Sequence, residues 1–300
     1  MTNPWHGSWL VAGTGLHRAS VDRAAGSGLF GGTPNGPWER IGKVQATPFC
    51  LLRQQQRLVI GADHGLWEYL GAQQQWRQLH DETITEIMAL AAIPGDPGVL
   101  VATPYGLARG RRDELGAARW SALSDSLPRN RRFSCAVLPL APQRWLVGTE
   151  DGLLLAQGPT PTWESTALTD TPVRALLQTP DGLWAGTDNR GIWHSPDGAA
   201  WAPAGETLDR AVYALTAADG RIVAATQSRL VVGDGSGPWH PLGPQVLFAT
   251  VGVDPADPAR CWLAGATPGG LWHTSDGGQR WRQVGPFKHV RALLPPETNQ

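Results

Sequence analysis

Two arginines interrupt otherwise apolar runs, Val173-Arg174-Ala175-Leu176-Leu177 and Val290-Arg291-Ala292-Leu293-Leu294. An unpaired charge inside a buried strand is costly. Each guanidinium must therefore either point into solvent or have a specific partner. Aligning the equivalent runs places Cys50, Met88, Cys135, Arg174, Tyr213, Phe248 and Arg291 at one position. Just before it come Glu86, Arg131, Arg132, Arg210, Lys288 and His289. Planar guanidinium forks match carboxylates and phosphates, so this set points to an acidic ligand. Asp170, Glu206 and Asp209, along the connecting segments, are internal partners that could absorb the same charges.

Other chemistries find little support. The chain has no Gly-x-Ser-x-Gly elbow, Walker loop, Cys-x-x-Cys or His-Glu-x-x-His. His194 and His273 follow Trp193 and Trp272 at equivalent places, as repeat residues do. Asp63-His64 reads as a solvated turn. Cys50, Cys135 and Cys261 are an odd, sparse set and read as buried free thiols, which favours a reducing, cytoplasmic setting. No catalytic residue, metal ligand or cofactor is assigned. Enzymatic activity is left undecided, with the weight of the residues on the side of none.

The elements that position these groups follow from a recurring tryptophan. Trp38, Trp76, Trp120, Trp163, Trp201, Trp239 and Trp281 are separated by 38, 44, 43, 38, 38 and 42 residues. That period suits the four strands of one propeller blade. Each unit has a leading apolar run, then a run ending in small residues, such as Trp184-Ala185-Gly186-Thr187 or Leu263-Ala264-Gly265-Ala266. A turn and a Gly-apolar pair follow, such as Gly191-Ile192-Trp193, and then the tryptophan. Runs of this length, bounded by Gly, Pro, Asp and Asn, are strands. The 37 glycines and 25 prolines supply the turns. The expected fold is all-β: a seven-bladed β-propeller with four-stranded blades, one domain over residues 1–300. The first repeat lacks its leading run, which appears after the last tryptophan. The C-terminal strand, residues 289–296, should therefore close the ring inside the N-terminal blade.

Strand order then fixes the faces. The turn between second and third strands and the segment after each tryptophan share one face, here the top, around the channel mouth. Asp63, His64, Tyr105, Glu150, Asp151, Asp188, Asn189 and Arg190 lie on its turns. The stretch His17–Gly28 reads as an enlarged top loop. A net charge of −1 gives no global attraction to nucleic acid or anionic lipid. No apolar stretch is long enough to span a bilayer, and the N-terminus lacks the pattern of a signal peptide.

Thr274-Ser275-Asp276-Gly277-Gly278-Gln279-Arg280-Trp281 follows the Ser/Thr-x-Asp-x-Gly-x-x-Trp pattern, and Ser195-Pro196-Asp197-Gly198-Ala199-Ala200-Trp201 is one residue shorter. On these residues the chain resembles the Asp-box, or BNR-repeat, propellers, which include sialidases and Ycf48-like photosystem II assembly factors. The resemblance covers about residues 8–296. It implies structural roles for Ser195, Asp197, Trp201, Thr274, Asp276, Gly278 and Trp281. It also implies a non-enzymatic binding or assembly scaffold. That scaffold would be monomeric and would engage an acidic peptide, carboxylate or protein partner through Arg131, Arg132, Arg174, Arg210, Tyr213, Lys288, His289 and Arg291. The alternative is a glycan-directed protein, a lectin or a sialidase-like hydrolase using Arg174, Arg291, Tyr213 and Glu150. Against the hydrolase stand the missing Arg-Ile-Pro motif and the count of seven repeats where those enzymes usually have six.

Overall fold

In the computed structural model the described residues are 5, 7–16, 27–42, 46–54, 57–71, 73–112, 118–206 and 210–297. Most of the His17–Gly28 stretch, and Asp209, lie outside them. Among the described residues, seven four-stranded antiparallel sheets form a ring, each running from an inner to an outer strand. Blade one consists of Phe287–Leu294, Trp9–Leu16, Gly28–Gly32 and Trp38–Arg40, in that order. Blades two to seven begin on the inner strands Pro48–Gln54, Ala89–Ala92, Ser134–Ala141, Val173–Thr179, Val212–Ala218 and Phe248–Val253. A single 3-10 turn, Arg129–Arg131, is the one helical element described, and no helix is long and apolar enough to cross a membrane.

The ring is closed as the missing first run implied. Leu294, Leu293 and Ala292 pair with Leu10, Val11 and Ala12, and Val290, His289 and Phe287 pair with Gly13, Thr14 and Leu16. The N- and C-terminal parts of the chain thus share one sheet.

Successive side chains of a strand point to opposite faces. In a propeller both faces meet a neighbouring blade. Leu10 and Ala12 pack toward blade two with Leu58 and Ile60, while Trp9 and Val11 pack toward blade seven with Leu263 and Leu271. The same alternation produces seven separate apolar clusters, one at each blade–blade contact. This explains why the second strands are continuous apolar runs: they are covered on both sides.

The small residues ending these strands have a specific neighbour. A Cβ on Gly265 would lie 2.4 Å from Val290 Cγ1, and one on Gly186 2.6 Å from Val212 Cγ1. Each glycine admits a buried valine of the next inner strand.

The seven recurring tryptophans immediately precede the outer strands or lie within their first three residues, and they divide by hydrogen bond. The indole N–H groups of Trp201 and Trp281 donate to Gly198 O and Gly278 O of their own turns, at 3.1 and 2.9 Å. Those of Trp76, Trp120 and Trp239 reach back to the preceding blade, to Ile41 O, Leu79 O and Ala204 O at 2.9, 2.9 and 2.8 Å. Among the described residues Trp38 and Trp163 have no partner for theirs. The three cross-blade bonds add to the apolar contact between their sheets.

Trp239 therefore offers a test. Trp239→Phe keeps most of the ring but strands Ala204 O, whereas Trp145, equally buried, has an unpartnered N–H. In urea unfolding, Trp239→Phe should cost about 1–2 kcal/mol more than Trp145→Phe. Equal losses would show that the cross-blade bond contributes nothing.

Candidate functional site: the top-face channel mouth

Six inner strands carry a register shift near their top end, which leaves one residue outside the ladder: Phe49, Cys135, Arg174, Tyr213, Ala249 and Arg291. In blade three, Met88 stands at the same place, just before the inner strand begins. The alignment from sequence is thus corrected in two blades. Phe49 occupies the bulge where Cys50 was expected, and Ala249 where Phe248 was expected. Neither Phe49 nor Ala249 is polar, so the bulge residue itself carries no mark in the sequence. The residue before each bulge is buried. Val290, Ile87, Ser134, Val173, Val212 and Phe248 are each at most 2% exposed. A bulge re-aims a side chain that the ladder would bury, which is how an arginine comes to stand in an apolar strand.

The two bulge arginines have different surroundings. Arg174 is held by a bidentate fork, Nε to Asp188 Oδ1 at 2.9 Å and Nη2 to Asp188 Oδ2 at 2.8 Å. Its Nη1 donates to Glu150 Oε1 at 2.9 Å and approaches Cys135 Sγ at 3.4 Å. Its partners come from the top turns of its own blade and the one before, and not from Asp170, whose carboxylate instead accepts the Thr169 hydroxyl at 2.8 Å. The Asp188 hydrogen bonds, foremost, hold the Arg174 pKa well above its ordinary value against the opposing effect of burial. Burial pushes the adjoining Cys135 thiol up to about 12, with Arg174 pulling the other way.

Arg291 is exposed, and its Cζ stands 5.0 Å from the centroid of the Phe49 ring in the adjoining blade. Cation–π contact suits this geometry, and it leaves the guanidinium N–H groups available. Among the described residues Arg291 has no carboxylate partner.

The remaining cations are distributed unevenly. Arg131 lies 3.0 Å from Asp151 Oδ2 through Nε, an ion pair without hydrogen-bond alignment, and its Nη2 donates to Ser165 Oγ at 2.8 Å. Arg132 folds back on its own loop, donating to Leu127 O and Asp125 O at 2.8 and 2.7 Å. Arg210 donates to Ser228 Oγ at 2.7 Å and has no carboxylate partner among the described residues. Lys288 is exposed beside the closing strand's entry, while His289 and Tyr213 are half-buried. Asp63 accepts the Thr47 N–H at 2.7 Å and contacts His64 at 3.0 Å. Among the described residues no three His, Cys, Asp or Glu side chains gather as a metal site would require.

What positions these turns is a threonine that closes the second strand in four blades. Thr103, Thr149, Thr187 and Thr226 donate from Oγ1 to Gly106 O, Gly152 O, Gly191 O and Arg229 O at 2.7–2.9 Å. Each hydroxyl also accepts a backbone N–H from within the turn. Sequence reasoning passed over these residues, although the recurring Gly-Thr or Ala-Thr pair was visible.

On the bottom face, the two Ser/Thr-x-Asp turns are internally bonded. Asp276 Oδ1 accepts the Arg280 N–H at 2.9 Å and the Thr274 hydroxyl at 2.8 Å, and Thr274 Oγ1 accepts the Gly278 N–H at 3.0 Å. Asp197 Oδ1 accepts the Ala199 N–H at 2.8 Å, and Ser195 Oγ accepts the Gly198 N–H, also at 2.8 Å. These backbone bonds, first from Arg280 and Ala199 respectively, hold both carboxyls below the usual aspartate range. The three cysteines are free. Burial pushes the Cys50 thiol up to about 12 and that of Cys261 to about 11.

No family model matches the chain, and no curated protein matches it. Solved structures do. The chain is similar to the extracellular domain of a candidate one component system from B. thetaiotaomicron, with 17% identity and a TM-score of 0.64 over 92% of this chain and 39% of that one. It is also similar to the β-propeller domain of Cps50 (Swd1) from Myceliophteria thermophila, with 14% identity and a TM-score of 0.59 over 82% and 89% of the two chains. A protein from Lactobacillus plantarum shares 13% identity and a TM-score of 0.64 over 96% and 98%. At these identities the likeness concerns the propeller fold. Such a fold is a scaffold whose function sits in its loops.

The Arg174 network yields a stability prediction. Arg174→Met would leave Asp188 and Glu150 facing each other without their shared cation. It should cost about 2 kcal/mol in urea unfolding, less than a fully buried pair because Glu150 is partly solvated. Adding Asp188→Asn and Glu150→Gln should recover most of that loss. A fully stable single variant would mean that the network does not support the mouth.

Proposed function

We propose that the chain is a non-enzymatic binding scaffold whose channel mouth takes an acidic peptide segment of a protein partner. One observation carries this reading: Arg291, exposed at a bulge of the closing inner strand, lies over Phe49 with no carboxylate partner among the described residues. Of the cations named from the sequence, Arg174, Arg131 and Arg132 are engaged internally. The ligand's carboxylates would therefore meet Arg291, with exposed Lys288 nearby in sequence and half-buried His289 between them. An arginine held by an aromatic face keeps its fork preorganised for a carboxylate.

The bonded turns at residues 195–201 and 274–281 support reading the chain as an Asp-box propeller of the assembly-factor kind. The three free, high-pKa thiols are consistent with a cytoplasmic setting. The glycan-directed alternative gains nothing from the mouth. A sialidase-like reaction would need Arg174 and Glu150 for its substrate, and they are bonded to each other.

The test is fluorescence polarisation with glutamate-rich peptides at low salt. Wild type should bind saturably, with affinity falling as salt rises. Arg291→Glu should weaken binding about tenfold or more, a charge-assisted contact being worth roughly 1.5–3 kcal/mol. Indifference to peptide charge, or an Arg291→Glu variant that binds as wild type does, would refute the reading.

A further inference from the structure

A second top-face feature lies away from the channel, over the outer half of blade six. It is a hollow of about 530 Å³. Arg210 enters it from the segment preceding the inner strand. Gln227, Ser228 and Arg229 come from the top turn, Trp239 and Pro241 from the approach to the outer strand and its middle, and Gln245 from the segment beyond. Among the described residues no carboxylate lines it.

The two arginines differ from Arg174 in what surrounds them. Arg210 is fixed against the turn by its Nη1 bond to Ser228 Oγ at 2.7 Å, and its buried Nε has no hydrogen-bond partner. Arg229 contributes its backbone to the Thr226 clasp, N–H to Oγ1 at 3.3 Å and O from Oγ1 at 2.7 Å, so the turn that carries it is set. Neither guanidinium pairs with a carboxylate among the described residues. Elsewhere in the molecule two arginines on one spot share an acid: Arg57 and Arg77 on Glu68, Arg109 and Arg111 on Asp96. In the blade-six hollow no described acid takes that place.

We propose that this hollow binds a phosphate group, free or carried by a small phosphate monoester. Two cations with no counter-charge among the described residues match one dianion, and a phosphate monoester carries about −1.5 to −2 at neutral pH. Guanidinium forks and the Gln227, Ser228 and Gln245 side chains can donate to its oxygens. The volume far exceeds one phosphate, and the wall formed by Val231, Trp239 and Pro241 is apolar. That leaves room for the organic part of an ester.

The experiment is calorimetric titration of the full chain with inorganic phosphate and, separately, with glycerol 3-phosphate. Wild type should bind one equivalent saturably. Arg229→Gln should weaken binding about tenfold or more, and Arg229→Lys, which keeps the charge but not the fork, by less. Arg229 lies on a surface turn, and an unchanged melting curve for each variant confirms that the fold is intact. Arg291→Gln should leave phosphate binding unchanged. Tighter binding of the ester than of phosphate assigns the remaining volume to an organic substituent, whereas equal affinities assign the hollow to the free ion. Absence of saturable binding, or binding that survives Arg229→Gln, would overturn the proposal. Loss of binding in Arg291→Gln alone would also overturn it and would move the anion to the channel mouth. Peptide binding at the mouth is measured independently, so either reading can fail without the other.

Discussion

The pairing of residues 287–294 with residues 9–16 is the constraint on which the ring depends. In four blades a glycine near the end of the second strand lies against the start of the next blade's inner strand, Gly61 at Ile87, Gly148 at Val173, Gly186 at Val212 and Gly265 of blade seven at Val290 of blade one. Without the C-terminal strand, Trp9, Val11, Leu263 and Leu271 would lose Phe287 and Val290, their shared packing partners. The inner edge of the N-terminal sheet would also stand open, and open edges invite wrong pairing. An array of blades that each contact only their neighbours draws its cooperativity from those contacts, and closure supplies the last of them.

The same crowding creates the channel mouth. The residue before each bulge must be buried because the adjoining blade closes over it. The bulge residue is turned out of the ladder and becomes free in character, so Phe49, Met88, Cys135, Arg174, Tyr213, Ala249 and Arg291 share almost no chemistry. Function can vary there without disturbing the packing beneath. In this chain one bulge arginine has been taken into a structural network and the other has not. The division of roles rests on the acids of the top turns: Glu150 and Asp188 converge on Arg174, and no described carboxylate reaches Arg291.

Much of this was legible in the residues. The tryptophan spacing, the small residues ending each second strand and the displaced final run led to seven blades and to their closure. The bulge position was legible where a polar or unusual residue marked it, as at Arg174 and Arg291, and slipped by one residue in the apolar runs around Phe49 and Ala249. The partners of Arg174 were not legible. They lie 14 and 24 residues away in sequence, on turns of two blades, and the repeat pattern does not say which turn residues converge. The two kinds of indole bond were equally hidden. Trp239 and Trp281 occupy the same place in the repeat and both follow a turn with a bonded aspartate, Asp234 and Asp276, yet one indole N–H crosses to the preceding sheet and the other stays in its own turn.

The most direct measurement is the thermal unfolding of the chain lacking residues 289–300, followed by near-UV circular dichroism. If the C-terminal strand closes the ring, the truncated chain has no cooperative transition, because the blade-one sheet loses its inner strand and blade seven loses the cover over Gly265. A truncated chain that melts at the same temperature and with the same steepness as the intact protein would contradict closure as the organising constraint.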